Sequence, residues 1–267
     1  MGKSAVGGLT IGKHEKANNT YLQILTIGSS SSGNSTLVYN EDTHILIDCG
    51  VSMKSVLEKT ARTSFDGLFL SHMHSDHTRG AGPLGRKTEV PIYINDLAFQ
   101  EKSELFTDCE IINISEGVLT TLGSMQILPF STKHDATASF GFIVKDKDAT
   151  LGYLTDTGSI SKVIREAMAP CTSLFIEMDY DEELIETYEG YDDLLKDRIK
   201  SDYGHLGTQQ ALDFISEFDI SKLRSIIIGH ISPRTNSPEL VWKHISSRFD
   251  EYISKFYIAP TSDPITV

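Results

Sequence analysis

The stretch Ser71–His77 (SHMHSDH) brings three histidines and one aspartate together directly after the apolar run Phe65–Leu70. That run has the length and composition of a buried strand. Imidazole and carboxylate groups in one short turn can be aimed at a single point, or at two points a few ångströms apart, as metal ions require. The pattern therefore predicts that metal is bound by His72, His74, Asp76 and His77.

Other candidate ligands share one placement, which is the end of an apolar strand. They are Asp48, His134, Asp156 and His230. Strand ends meet at one edge of a sheet, where layered α/β proteins build their active sites. Each of these residues alone would more often be a turn or loop residue, but their coincidence with the histidine stretch favours one shared site. Mixed nitrogen and oxygen ligands suit Zn²⁺, Mn²⁺ or Fe, and the sequence leaves the choice open.

The elements that must position these side chains follow from periodicity and turn residues. Strands are predicted over residues 22–27, 35–39, 44–48, 65–70, 91–95, 110–114, 123–129, 139–145, 150–155, 173–177, 224–228 and 254–258, and helices over 52–60, 96–105, 159–168, 181–200, 207–218 and 238–248. This order predicts two packed sheets with helices outside them, as one domain over residues 21–267. The polar, aperiodic residues 1–20 are predicted to be a flexible extension.

Composition narrows the class of protein. Of the 267 residues, 39% are hydrophobic and 23% are charged, which is typical of a globular protein. No apolar run reaches the roughly 18 residues that a membrane span needs, so we expect no membrane association and a cytoplasmic location. Cys49, Cys109 and Cys171 form no close pair and are predicted to be buried free thiols.

The net charge of −13 argues against a general polyanion binder. A pair of divalent cations adds about four positive charges locally, so a nucleic-acid substrate stays compatible with this charge.

The ordered motifs Asp48, His72–His77, His134, Asp156 and His230 resemble those of the metallo-β-lactamase superfamily from about Leu22 onward. The resemblance implies an α/β (α+β) fold, a four-layer αβ/βα sandwich with a two-metal site between its sheets. It implies that one metal is bound by His72, His74 and His134, a second by Asp76, His77 and His230, that Asp156 bridges them, and that Asp48 orients a ligand histidine. It also implies hydrolysis by a hydroxide held between the metals.

The segments Ser201–Thr208 (SDYGHLGT) and Arg224–Arg234 (RSIIIGHISPR) resemble motifs of the transfer-RNA 3′-processing endonucleases. That resemblance implies that His205 faces the scissile phosphate and protonates the leaving oxygen; the alternative is a helix-terminal residue without chemistry. Two interpretations of Glu177 stay open. In one it lies near His205 and modifies the properties of that imidazole, and in the other it belongs to the start of the acidic helix predicted over residues 181–200. β-Lactamases usually have a cysteine ligand in the second metal site, and none of Cys49, Cys109 and Cys171 lies where that ligand would be expected, so a β-lactamase is disfavoured. Asp76 and His205 are the predicted catalytic side chains.

A broader resemblance, over nearly the whole domain, is to the YycJ-like (WalJ) group, through Gly28–Asn34 (GSSSSGN), Ser201–Leu206 and the segment from His230 to Leu240. It implies a 5′→3′ exonuclease on single-stranded DNA that serves DNA repair. Pro233 and Arg234 match the transfer-RNA enzymes instead, which leaves the polynucleotide open. Substrate contacts are predicted for Ser30, Asn34, His205 and Arg234.

Two alternatives remain. One is a hydrolase of a small substrate, such as a cyclic nucleotide, another diester or a thioester. The other is a non-catalytic regulator that binds metal through the same residues. The sequence indicates no protein partner.

Overall fold

The computed structural model describes residues 21–267, and the extension predicted over residues 1–20 lies outside the described residues. Two seven-stranded mixed sheets form the centre of the described chain. The first sheet contains β1 (Gln23–Gly28), β2 (Ser35–Tyr39), β3 (His44–Ile47), β4 (Gly67–Phe69), β5 (Ile92–Ile94), β6 (Ile111–Asn113) and β14 (Ile265–Thr266). The second contains β7 (Thr120–Leu122), β8 (Met125–Ser131), β9 (Phe140–Lys145), β10 (Thr150–Leu154), β11 (Ser173–Glu177), β12 (Ser225–Gly229) and β13 (Phe256–Ile258).

Both sheets follow one plan, in which antiparallel strands give way to parallel ones. The strand order is β14-β1-β2-β3-β4-β5-β6 in the first sheet and β13-β12-β11-β10-β9-β8-β7 in the second. Pairing is antiparallel from β1 to β3 and from β7 to β10, and parallel from β3 to β6 and from β10 to β13. Parallel neighbours require crossover connections, which here include helices.

The α-helices of the described chain are α1 (Met53–Thr60), α2 (Ser75–Thr78), α3 (Ala81–Thr88), α4 (Asp96–Glu101), α5 (Lys162–Met168), α6 (Glu182–Thr187), α7 (Asp193–Lys200), α8 (Thr208–Ile215) and α9 (Pro238–Phe249). Two 3₁₀ helices cover Ser103–Phe106 and Asp250–Lys255. Across residues 21–267, every helix is too short or too polar to cross a lipid bilayer.

The core lies in three layers of apolar contact, because successive strand residues point to opposite faces. Phe175 and Ile227 pack between the two sheets, where Phe69 of the first sheet meets Phe142 of the second with ring centroids 5.9 Å apart. The residues on either side of Phe175 and Ile227 in the chain face α5, α8 and α9 on one outer side of the sandwich. On the other side, the outer face of the first sheet packs against α1, α3 and α4. The predicted four-layer αβ/βα sandwich is therefore confirmed, while the assignment of residues 21–267 to one domain stays a prediction.

Several predicted elements differ in detail from the structure. The helix predicted over residues 181–200 is wrong as one element, because α6 ends at Thr187 and Asp192 begins α7 by accepting a hydrogen bond from the Leu195 amide at 2.8 Å. Gly190 lies in the break and disfavours a continuous helix. The strand predicted over 123–129 begins later, since Gly123 adopts a φ of 51° and forms the turn between β7 and β8.

The sequence also missed α3, whose Gly82 and Pro83 have low helix propensity. Of the three cysteines, Cys49 and Cys171 are buried as predicted, whereas the prediction is wrong for Cys109, which is only partly buried. Burial raises the pKa of Cys49 and of Cys171 to about 12.

Candidate metal centre

The predicted ligands lie where strands of both sheets end, along one edge of the sandwich. Asp48 follows β3, Asp156 follows β10 and His230 follows β12, and the three have φ values of 58°, 55° and 47°. The left-handed region is unfavourable for residues other than glycine, and such strain clusters at functional sites. At each of these strand ends the backbone leaves the extended path as it reaches the candidate site.

One group of donor atoms comes from His72, His74 and His134, and these atoms lie within 4.8 Å of one another. The Nδ1 atom of His134 donates a hydrogen bond to the Gly204 carbonyl oxygen at 3.0 Å. The Nε2 atom of the neutral ring therefore has the lone pair that can bind a metal. That Nε2 lies 3.2 Å from Nδ1 of His74. The Nε2 atom of His72 is buried and hydrogen-bonds to none of the described residues.

A second group consists of Asp76, His77 and His230, again with donor atoms within 4.8 Å of one another. Oδ2 of Asp76 lies 3.3 Å from Nε2 of His77 and 3.9 Å from Nε2 of His230. The His230 backbone amide donates to Ser29 Oγ at 2.7 Å, which fixes this strand end against the serine-rich turn.

Asp156 lies between the two groups. Its Oδ2 is 3.3 Å from His77 Nε2, and its Oδ1 is 3.7 Å from Nε2 of both His134 and His230. Burial raises the pKa of this carboxyl, but the imidazoles of His230 and His77 outweigh burial and hold the pKa well below its usual range. A buried carboxylate that faces both sets of imidazoles is suited to contact two cations at once.

Asp48 supports His77 from behind. Its Oδ2 lies 2.8 Å from Nδ1 of His77, and its Oδ1 accepts hydrogen bonds from the backbone amide and the hydroxyl of Ser71. When Nδ1 donates to a carboxylate, Nε2 keeps its lone pair for a metal. The structure thus places Asp48 where the sequence predicts an orienting residue.

Glu177 and Asp179 lie beside His205 and His230, and neither carboxylate is among the predicted metal ligands. Oε2 of Glu177 lies 3.2 Å from His205 Nδ1 and 3.4 Å from His230 Nδ1, and Asp179 Oδ1 lies 3.6 Å from the same His230 atom. Burial opposes ionisation of Glu177, but the hydrogen bond from His205 and the nearby imidazole of His230 lower its pKa to about 2. Asp179 was missed, although β11 lies between β10 and β12 and therefore ends beside the same site.

His205 occupies the open side of the site, with its ring stacked on His230 at a centroid distance of 5.1 Å. Burial lowers the pKa of this imidazole, but Asp179, Glu177 and Asp156 raise it to about 9. Its Nδ1 is held by Glu177, so Nε2 is the remaining ring nitrogen. The site opens into a cleft of about 200 Å³ lined by Ser31, His74, Asp76, His134, Asp135, Asp156, Leu195, Arg198, Ile199, Gly204, His205 and His230.

Of the predicted substrate contacts, His205 lines the cleft, whereas Ser30, Asn34 and Arg234 do not. Asn34 is buried, and its Nδ2 lies 3.2 Å from Asp76 Oδ2 and 3.0 Å from His77 Nε2, so it contacts candidate ligands. Ser31, not its neighbour Ser30, is among the cleft-lining residues. Arg234 is exposed, with its guanidinium over the Tyr191 ring at 5.9 Å.

The donor set fits divalent cations. His72 Nε2, Asp156 Oδ2 and His230 Nε2 are buried, and each lacks a hydrogen-bond partner among residues 21–267. Buried polar atoms are otherwise almost always paired, so such atoms pointing at one another require an explanation. Burial and the neighbouring histidines also hold the pKa of His72 well below its usual range, which keeps the imidazole neutral as a ligand must be.

A sequence profile described as the beta-lactamase superfamily domain matches residues 43–231. The chain belongs to this superfamily. Among solved structures of the fold, the metallo-β-lactamase fold protein YhfI from Bacillus subtilis is 18% identical, with a TM-score of 0.72, and covers 92% of this chain and 100% of its own. Human tRNase Z, short form, is 15% identical, with a TM-score of 0.63, and covers 92% of this chain and 99% of its own.

Two relatives in sequence are more similar. The exodeoxyribonuclease YycJ from Bacillus anthracis is 28% identical over 239 residues, which cover 86% of this chain and 90% of the relative. The exodeoxyribonuclease WalJ from Streptococcus pneumoniae is 31% identical over 226 residues, which cover 80% of this chain and 83% of the relative. The predicted superfamily, its YycJ/WalJ relatives and the class of metal-dependent hydrolase are confirmed.

Proposed function

We propose that this protein is a dinuclear metal-dependent phosphodiesterase that degrades nucleic acid, specifically a 5′→3′ exonuclease on single-stranded DNA in the cytoplasm. The observation that carries the proposal is the position of Asp156 between two groups of candidate ligands, with His205 Nδ1 3.6 Å from its Oδ1. The relatives named exodeoxyribonuclease support the choice of DNA as the substrate.

In this proposal His72, His74 and His134 would hold one cation and Asp76, His77 and His230 would hold the other, with the Asp156 carboxylate available to both. Two divalent cations in this site, Zn²⁺ or Mn²⁺, would supply Lewis-acid stabilisation of phosphate charge and make water nucleophilic near neutral pH.

The chain's own residues fix the geometry of the reaction. Asp48 and the Gly204 carbonyl orient His77 and His134 through their Nδ1 atoms. Glu177 accepts hydrogen bonds from the Thr157 and Leu206 amides through Oε1, which leaves Oε2 to hold His205. A leaving alkoxide needs a proton, and in the proposal His205 donates it from Nε2. Asn34 restrains Asp76.

A small diester is the second candidate substrate, because the cleft has a volume of only about 200 Å³ and is lined by carboxylates. Asp76, Asp135 and Asp156 all line it, and the chain carries a net charge of −13. Negative charge weakens the binding of a polyanion more than that of a substrate with one phosphate.

The test compares 5′-labelled and 3′-labelled single-stranded DNA, a duplex and an RNA of the same sequence, and bis(p-nitrophenyl) phosphate. Each substrate is incubated with chelator-treated protein reloaded with Zn²⁺ or Mn²⁺. We expect immediate release of the 5′ label from single-stranded DNA as short product, with slower loss from duplex and RNA. Hydrolysis of the small diester alone would replace the nuclease with the second candidate, and hydrolysis of neither would support a non-catalytic regulator.

A further inference from the structure

Helix α7 forms one wall of the cleft, although the sequence motifs give it no role. Its cleft-lining residues are Leu195, Arg198 and Ile199, whose spacing of three and four positions places them on one helix face. No residue of α7 is fully buried, and the helix is tied to α6 by Lys196 Nζ, which donates to the Glu186 carbonyl oxygen at 2.7 Å. The wall is therefore a surface helix that presents one side to the candidate site.

Arg198 is the one lysine or arginine among the cleft-lining residues of the described chain. Three carboxylates line the same space, those of Asp76, Asp135 and Asp156. Proteins bind nucleic-acid backbones through cationic side chains, and an arginine can hold a phosphate with two parallel hydrogen bonds. The Arg198 side chain is 61% exposed, so it is accessible from the cleft.

Asp135 connects Arg198 to the candidate metal centre. The Nε atom of Arg198 donates to Asp135 Oδ2 at 2.6 Å, and a terminal guanidinium nitrogen contacts the same oxygen. The other oxygen, Oδ1, lies 3.4 Å from His134 Nε2 and 3.8 Å from His74 Nε2. The Asp135 carboxylate thus lies between the exposed guanidinium of Arg198 and the imidazoles of two candidate ligands. Both sets of neighbours stabilise negative charge at this position.

We propose that Arg198 is a positioning residue for a backbone phosphate of a polynucleotide, and that Asp135 neutralises Arg198 until that phosphate displaces it. The inference rests on the proposed function and deepens it, because it assigns the polyanion contact to α7. A substrate with a single small diester at the metal centre does not need this contact, whereas a strand that continues along the cleft does.

Binding is measured first, by fluorescence anisotropy, with metal-loaded protein and a labelled oligothymidylate whose phosphorothioate linkages resist hydrolysis, because the bound cations offset the negative charge of the site. For Arg198→Gln we expect about tenfold weaker binding, and a salt dependence that is shallower by about 0.7 in log K against log salt, the value for one phosphate contact with a single strand. The matched control is Arg165→Gln, because Arg165 makes a similar exposed ion pair with Glu217 but does not line the cleft. Asp135→Asn should bind the oligonucleotide more tightly than the wild type.

Turnover with reloaded metal is measured second. Arg198→Gln should raise KM for single-stranded DNA about tenfold, and should slow hydrolysis of bis(p-nitrophenyl) phosphate by a clearly smaller factor, at most about twofold. If Arg198→Gln binds DNA with wild-type affinity and salt dependence while the wild type degrades DNA, the role of Arg198 is refuted and the nuclease stands. If the wild type neither binds nor degrades DNA but cleaves the small diester, the proposed function fails and this inference fails with it.

Discussion

Oδ2 of Asp48 lies 2.8 Å from Nδ1 of His77, and both side chains are completely buried. The same carboxylate accepts hydrogen bonds from the Ser71 amide and hydroxyl, at the start of the histidine stretch. Asp48 is therefore the side chain that joins the end of β3 to the turn after β4 and sets the direction of His77 Nε2.

Asp48→Asn should weaken the binding of the cation held by His77, by about 10–100-fold, because the amide orients the imidazole less strongly. Titration of chelator-treated protein with Zn²⁺, followed by calorimetry, measures both sites. The other cation should bind with nearly unchanged affinity. Two sites of wild-type affinity would show that Asp48 has no orienting role.

His205→Ala should retain both metals and lose turnover by about 10²–10⁴-fold, since the leaving oxygen loses its proton donor. His244→Ala is the control, because His244 has a comparable exposure and pairs with Asp181 away from the cleft. Metal content and turnover are measured on the same preparations. Donor atoms of Asp156, Glu177, His205 and His230 also lie within 4.8 Å of one another, so loss of a metal in His205→Ala would make His205 a ligand.

Gly50→Ala should destabilise the protein by about 3–5 kcal/mol, a loss typical of severe steric strain. A Cβ atom at this position would lie 1.5 Å from the Asp76 carbonyl oxygen, so the turn that carries Asp76 must move. Urea unfolding with chelator present measures the free energy without any contribution from metal. Gly117→Ala is the control, since its φ of 72° adds strain of about 1–2 kcal/mol without any contact within 4 Å. Equal losses for the two variants would contradict the steric argument.

The native protein should expose one reactive thiol to Ellman's reagent at mildly alkaline pH, and all three after denaturation. Burial raises the pKa of Cys49 and Cys171 to about 12, so both thiols stay protonated at mildly alkaline pH. Burial also keeps the reagent away from them. Burial also raises the pKa of Cys109, but its side chain is partly accessible. Fast reaction of Cys49, identified by peptide mapping, would contradict the packing around the site.

The sequence can suggest candidate ligands because most of them follow an apolar strand, and strand ends are visible in the pattern. Asp48, Asp156 and His230 are found by this rule, and the structure brings them together. Their roles as ligands or partners stay predictions. Asp179 obeys the same rule but was missed, since recognising it requires knowing that β11 lies between β10 and β12.

The cleft wall could not be predicted from periodicity. Arg198 belongs to a segment that reads as one helix from Asp181 onward, and only the break around Gly190 lets α7 turn its face to the site. The serine-rich turn shows a similar limit. Small residues predict the turn. Ser31 lines the cleft and Ser30 does not, because the backbone of the turn directs them differently. Four consecutive serines give no sequence signal that distinguishes one from the next.

The most direct test of the central claim is the metal content of Asp156→Ala, measured by mass spectrometry on protein loaded with Zn²⁺ and freed of excess metal. The control is Asp146→Ala, because Asp146 is also a buried aspartate but pairs with Asn40 away from the centre. We predict two cations per chain in the wild type and the control, and at most one in Asp156→Ala, with DNA hydrolysis abolished only there. Two cations and full activity in Asp156→Ala would contradict a shared centre.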